Sequence, residues 1–174
     1  MLIAPTIVPC GKLTLGLADA LLKDVPADRF ARLPQGANGP VQTNHPAFVY
    51  GHLGIYPARV LAMIGITDHP GYAVPEDQAA LLSPGAVCVD DPDASVYPAM
   101  DLLIDRFRTG YAAMIAAVES AGDEALGVPT PDERYRERFP TVGVLLNFML
   151  NDHLMFHLGQ MSAWRRIEGL GSAM

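Results

Sequence analysis

Two histidines near the end of the chain, His153 and His157, are four residues apart. At this spacing in an α-helix, two side chains lie about 40° apart around the axis and about 6 Å apart along it, so both imidazoles project from one face. Neutral imidazole is a ligand for zinc, nickel, copper and iron, and burying an imidazole without a partner costs about 1–3 kcal/mol. The same face carries an apolar stripe, which is formed by Leu146, Met149, Leu150 and Trp164. The pair predicts either a metal site or two core histidines that hydrogen-bond to backbone or side-chain groups.

Two common metal motifs are excluded around this pair. Leu154 occupies the position at which the zinc protease motif His-Glu-x-x-His needs its glutamate. The chain also lacks the Glu-x-x-His repeats of di-iron carboxylate bundles. A metal site here would therefore be built from histidines, and it would need a third ligand from another helix.

Three other histidines could supply the third ligand. His69 lies in a Pro-rich loop, where we expect it to be exposed, and His45 lies at the start of a predicted helix. His52 falls in the middle of that helix between two glycines, which would let a second helix approach closely. We therefore predict His52 as the third ligand, with His45 as the next candidate.

Four helical segments are predicted to position these histidines, at residues 12–24, 44–64, 98–121 and 141–168. The second helix opens at Asn44, a good N-cap. Pro57 lies inside that helix and cannot donate a hydrogen bond, so we expect a kink just after His52. In the third helix, apolar residues recur at helical spacing, at Met100, Leu103, Phe107, Tyr111, Met114 and Val118.

The connections between these helices differ in length. A Pro-initiated helical extension is predicted over 26–33, and a loop over 34–40. Residues 66–97 are rich in Pro, Asp and Gly and form a long connection, with a short helix at 76–82. Period-two alternation is absent, so no strand is predicted. The sequence therefore predicts an all-α fold, a four-helix bundle with a long connection between helices 2 and 3, formed by residues 1–174 as one domain.

Composition narrows the set of partners. The net charge is −7 and the isoelectric point is near 5.0, which argues against binding to nucleic acid or to an anionic membrane surface. No apolar run approaches the roughly 20 residues of a membrane span, and no basic leader precedes an apolar segment. Cys10 and Cys88 are far apart and are predicted to be idle thiols. We expect a cytoplasmic protein.

The histidine pattern resembles the DinB/YfiT-like superfamily, a group of bacterial four-helix bundles associated with metal-dependent chemistry. The family pattern has one histidine in the second helix and a His-x-x-x-His pair in the last. The matching stretches are 44–53 (NHPAFVYGHL) and 153–160 (HLMFHLGQ), and Arg165 and Arg166 are also typical of the last helix. The resemblance spans about residues 12–168, whereas Pro57 and the long connection depart from the simplest family pattern.

The resemblance implies a divalent metal ion held by His52, His153 and His157. Zinc or nickel is expected, with iron or manganese as alternatives. The resemblance also implies a small-molecule substrate and two reaction classes: transfer or isomerisation that depends on a low-molecular-weight thiol, which we favour, and metal-assisted hydrolysis. A metal-binding or dimerising bundle without turnover is the further alternative.

Two other side chains are candidates for supporting roles. Gln160 lies one turn beyond the histidine pair and could orient a bound water or a ligand imidazole, or it could be a helix-packing amide. Arg59 could bind an anionic group of a substrate, or it could lie on the surface over Tyr56.

The last helix also bears on assembly. It is apolar on more than one face, because Phe148, Met155 and Leu158 lie away from the predicted histidine stripe. A helix that is apolar nearly all round is buried on several sides. We therefore predict a homodimer.

Overall fold

The protein is built mainly from helices. The computed structural model describes residues 3–68 and 71–173. In chain order the helices are α1 (Ala4–Leu21), α2 (Pro46–Gly54), α3 (Tyr56–Met63), α4 (Glu76–Leu82), α5 (Met100–Ser120), α6 (Asp123–Gly127), α7 (Val142–Asn147) and α8 (His153–Ile167). A π-helical turn, Phe148–Asp152, joins α7 directly to α8, and 3-10 turns occupy Ala27–Arg29 and Glu133–Tyr135. The predicted all-α class is confirmed.

The helices surround one hydrophobic core. α1 packs against α5 and α8, and α2 packs against the same two helices. The predicted stripe of α5 faces inward, because its middle residues Phe107, Tyr111 and Met114 are buried. Within the described part of the chain the only sheet is a two-stranded hairpin, β1 (Gln35–Gly36) with β2 (Gly39–Pro40), inside the segment predicted as loop.

The first helix begins earlier than predicted. It starts at Ala4 and not at residue 12, and it ends at Leu21 and not at 24. Pro5 stands in the first turn, where a missing N–H costs nothing. Pro9 removes one intrahelical hydrogen bond, but the buried side chains of Ile7 and Val8 hold this turn against the core. The chain leaves the helix before Asp24, which has a φ of 60°.

The helical extension predicted over 26–33 is wrong except for the 3-10 turn Ala27–Arg29. After this turn, carbonyl groups of the segment accept hydrogen bonds from distant parts of the chain. Phe30 O accepts the N–H of Ala47 at 2.9 Å, and Arg32 O accepts the indole N–H of Trp164 at 2.9 Å. Long-range hydrogen bonds therefore replace the helical pattern here.

The second predicted helix is interrupted, as expected, just after His52. α2 ends at Gly54 and α3 begins at Tyr56, so Pro57 falls in the first turn of a new helix, where it is tolerated. The predicted N-cap is off by one residue. His45, and not Asn44, caps α2, since its side chain accepts the N–H of Phe48.

The long connection is ordered by its acidic residues. The carboxylate of Asp91 accepts backbone N–H groups from Ser95, Val96 and Tyr97 at 2.9–3.0 Å. The helix predicted over 76–82 is confirmed as α4, and α5 lies within its predicted bounds of 98–121. No helix in the described residues combines the length and apolar character required to cross a membrane.

Candidate metal centre

Three histidines, one from α2 and two from α8, meet inside the bundle. The ring centroids of His52 and His157 are 4.6 Å apart, those of His153 and His157 4.8 Å, and those of His52 and His153 5.6 Å. One ring nitrogen from each residue lies within 4.8 Å of the other two. The sequence predicted that histidines of its second and fourth helical segments converge. The structure shows this convergence between α2 and α8.

These separations fit a shared ion. Metal–imidazole bonds of about 2.1 Å place two nitrogens of a tetrahedral site about 3.4 Å apart. The ring nitrogens lie within 4.8 Å of one another, so the widest pair would need to approach by at most about 1.4 Å, which ring rotations can supply. The three rings are thus nearly in place for binding one ion.

Hydrogen bonds fix two of the rings. His52 Nδ1 donates to the backbone oxygen of Leu82, the last residue of α4, at 2.7 Å. A Cβ at Gly51 would lie 2.7 Å from a methyl carbon of Leu82, so glycine at this position allows α4 to approach. A role for α4 in the site was not predicted, because no local sequence pattern indicates which carbonyl group lies over His52.

Gln160 orients the second ring. Its Oε1 accepts from His157 Nδ1 at 3.0 Å and from Asn44 Nδ2 at 2.9 Å. Because an amide oxygen only accepts, Nδ1 of His157 carries the proton and Nε2 is left with its lone pair. The hydrogen bond between Gln160 and His157 is compatible with the predicted orienting role, which stays a prediction, and the bond to Asn44 was not predicted.

His153 differs from the other two histidines. Its Nδ1 is buried, and it has no hydrogen-bond partner among the described residues. The ring lies against Tyr56, at 4.7 Å between centroids, and stacks on Phe148 at 5.7 Å. A buried polar atom without a partner costs free energy, so a histidine-rich pocket with an unbonded nitrogen fits a metal ion.

The π-helical turn explains the contact between Phe148 and His153. In a π-helix the hydrogen bonds join residues five apart, so residues at this spacing lie above one another, and these two rings are stacked with 25° between their planes. The sequence placed Phe148 away from the histidine stripe on the assumption of a continuous α-helix, and that placement is wrong. Leu158 is buried, which leaves Met155, 45% exposed, as the outward-facing member of that apolar set. The homodimer stays a prediction.

Burial keeps the three imidazoles neutral. It lowers the pKa of His52 to about 4 and that of His153 to about 3, and it lowers the pKa of His157 as well. The neighbouring imidazoles and the cations Arg59 and Arg138 lower these pKa values further for His52 and His153. At neutral pH the ring lone pairs are therefore available to a metal.

The other candidate, His45, is not part of this cluster. Its Nδ1 accepts the N–H of Phe48 at 3.2 Å, and its Nε2 is 2.9 Å from the backbone oxygen of Val89. Both ring nitrogens are thus used in structural hydrogen bonds. His69 lies outside the described residues. Burial raises the pKa of the Cys88 thiol to about 11, so this cysteine is protonated at neutral pH.

Aromatic and cationic side chains surround the cluster. The Tyr56 ring contacts His52 edge-on at 5.1 Å, and Phe156, 67% exposed, packs edge-on against His157 at 5.2 Å. Arg59 is exposed, with its guanidinium 3.5 Å from the hydroxyl of Ser83. Arg138 was missed by the sequence analysis, because it lies in a turn-rich segment with no helical periodicity.

The comparison with protein families agrees with this geometry. The sequence model of the DinB superfamily matches residues 12–161. The chain belongs to the DinB superfamily. The DinB match includes all three clustered histidines and the residues of α4 that orient His52. Searches of curated proteins and of solved structures found no significant match to the chain.

Proposed function

We propose that this DinB superfamily protein binds one divalent metal ion through His52, His153 and His157 and uses it in catalysis. The observation that carries the proposal is the meeting of three neutral ring nitrogens within 4.8 Å of one another. Zinc and nickel suit three imidazoles best, and iron or manganese are alternatives.

The donor set favours an open site. Among the described residues, no cysteine, aspartate or glutamate joins the three histidines as a fourth ligand. Structural zinc sites normally have four protein ligands, whereas catalytic sites keep a position for water or substrate. A divalent ion held here would lower the pKa of a bound thiol or water and supply a nucleophile at neutral pH.

The chain's own groups prepare the site for this role. Leu82 O and Gln160 Oε1 hold the Nδ1 protons of His52 and His157, which directs their Nε2 lone pairs away from these partners. Tyr56 and Phe148 pack against His153 and exclude water from that side. The proposed reaction is a transfer or isomerisation that depends on a low-molecular-weight thiol, with metal-dependent hydrolysis as the alternative that uses the same site.

Metal analysis of the purified protein tests the proposal. We expect about one divalent ion per chain in the wild type and a large loss in His52→Ala, His153→Ala and His157→Ala. His45→Asn is the matched control, because His45 is also a buried histidine but lies outside the cluster. Full retention of metal in the three alanine variants would contradict the proposed site.

The enzymatic part needs a separate measurement. Metal-loaded protein is incubated with a thiol and an electrophilic substrate, and thiol consumption is followed with and without prior chelation. We expect turnover that depends on both the metal and the three histidines. The protein could instead bind metal with full stoichiometry but consume no thiol and hydrolyse no ester or amide. That result would contradict catalysis and support the alternative of a metal-binding bundle without turnover.

A further inference from the structure

We propose that Arg59 and Arg138 give the three-histidine centre a preference for a small substrate that carries a carboxylate or another oxyanion. This inference rests on the proposed metal site and names the class of substrate that the site selects. The two arginines lie on different elements, Arg59 on α3 and Arg138 in the segment that precedes α7.

Arg59 reaches the cluster from the α3 side. It lies three residues after Tyr56, and the Tyr56 ring contacts both His52 and His153. Its guanidinium donates to the hydroxyl of Ser83, which directly follows Leu82, the residue whose carbonyl oxygen accepts from His52. Its hydrogen bond to the Ser83 hydroxyl is long, at 3.5 Å, and leaves most of the donor groups free for a ligand.

Arg138 lies in the segment before α7 and approaches the cluster on the side of His153. Its guanidinium carbon lies 5.0 Å from the ring centroid of Phe148 and 5.2 Å from that of Phe139. Phe148 in turn stacks on His153. Cation–π contacts of this kind hold a guanidinium over the ring faces without using its N–H groups. Arg138 thus contacts the ring that stacks on His153 and keeps its N–H groups free for a ligand.

Neither guanidinium has a carboxylate partner within the described ranges, although the chain has a net charge of −7. Of the eight other arginines, five form ion pairs among the described residues: Arg29, Arg32, Arg108, Arg134 and Arg136. What distinguishes Arg59 and Arg138 is that both lack such a partner and also lie close to the histidine cluster, where they are available for a ligand. Guanidinium groups bind carboxylates and other oxyanions with paired N–H groups.

The charge balance of the centre leads to the same conclusion. Among the described residues, no aspartate, glutamate or cysteine joins the three histidines of the cluster. A divalent ion on three neutral imidazoles would therefore add positive charge near two arginines. An anionic substrate group would compensate this charge.

Cobalt-loaded protein provides a direct readout of this preference. The absorption band from thiolate to Co(II) is followed while thioglycolate, 2-mercaptoethanol or cysteamine is added at pH 7. These thiols differ in the charge of the second group, which is negative, neutral and positive respectively. The quantity to compare for each thiol is its Kd in the variant divided by its Kd in the wild type, because this ratio cancels the intrinsic differences between the thiols.

Arg59→Gln and Arg138→Gln are each expected to weaken thioglycolate binding by about fivefold or more and to leave 2-mercaptoethanol within about twofold. Cysteamine should bind equally well or better. Arg138→Lys keeps the charge and should retain most of the preference. Arg108→Gln is the matched control, because that exposed arginine pairs with Asp19 and does not act on the histidines.

The measurements separate a charge effect from a structural one. Removing a cation should leave the affinity for Co(II) unchanged or higher, whereas a loss of packing around His153 would lower it. Equal changes for all three thiols in the Gln variants, or no thiol binding to a cobalt-loaded wild type, would overturn the inference. If the wild type does not bind Co(II) at all, the proposed metal site fails first and the inference fails with it.

Discussion

Two regions of the protein contain buried histidines, and they use the ring nitrogens differently. His45 bonds through both nitrogens to backbone groups, the N–H of Phe48 and the oxygen of Val89. In the cluster, His52 and His157 each use one nitrogen, and His153 has a buried Nδ1 without a partner among the described residues. Burial alone therefore does not distinguish a structural histidine from a candidate ligand. The unbonded nitrogen does.

The charged groups around the two regions also differ. His45 lies near the carboxylates of Asp90 and Asp91, which raise its pKa against the lowering effect of burial. Arginines, and no carboxylates, act on His52 and His153. The first region is complete without a ligand, whereas the second has unbonded nitrogens and uncompensated charge. A ligand should therefore stabilise only the second.

The largest expected effect comes from adding metal. At a free zinc or nickel concentration about a thousandfold above Kd, the free energy of unfolding should rise by about 4 kcal/mol. We expect this gain in the wild type and in His45→Asn, but not in His153→Ala. Urea unfolding with and without metal, followed by circular dichroism, measures the difference. An equal gain in His153→Ala would show that metal binds elsewhere and would remove the distinction between the two regions.

The second effect concerns the structural histidine. His45→Ala removes the cap of α2 and leaves Val89 O and the Phe48 N–H without their partner, so the free energy of unfolding should fall by about 2–3 kcal/mol. His45→Asn keeps a capping side chain and should lose less. Both variants should bind metal with the stoichiometry of the wild type. Loss of metal in a folded His45→Asn would assign His45 to the site.

The sequence predicted the parts of the site that follow from helical geometry. The spacing of His153 and His157 and the glycines around His52 predicted the three rings that the structure brings together. The sequence also predicted the break after His52, because the effect of Pro57 is local. Most helix boundaries were within a few residues, except where long-range bonds from Phe30 and Arg32 replaced a helix.

Long-range contacts account for what the sequence could not predict. The Leu82 oxygen lies 30 residues from His52 along the chain, and no local pattern indicates that they meet. The π-helical turn changes which residues align with His153, and it brings Phe148 into the site. The position of Arg138 depends on that same turn. The three clustered histidines were therefore predictable, but their surroundings were not.

The third effect concerns the orientation of His157. Gln160→Ala removes the acceptor that holds Nδ1, and the affinity for zinc or nickel should fall about 10- to 100-fold. Asn44→Ala is the matched control, because it removes the second bond to Gln160 but keeps the bond to His157. Its effect on affinity should be smaller. Competition with a chromophoric chelator gives both Kd values. Equal affinities in Gln160→Ala and the wild type would make Gln160 a packing residue only.

The smallest effect is the pH dependence that belongs to His45 itself. Burial lowers its pKa below the ordinary value of about 6.5, so the folded state binds fewer protons than the unfolded state. Its contribution to stability is present above about pH 6.5 and is lost as the pH falls toward the folded-state pKa, with a slope of at most about 1.4 kcal/mol per pH unit. His45→Asn lacks this group, so its unfolding free energy should fall less steeply than that of the wild type between pH 8 and 5. Both proteins are measured after chelation, so the three clustered histidines contribute alike and cancel in the difference. Parallel curves over this range would show that His45 is not held neutral by its two backbone bonds.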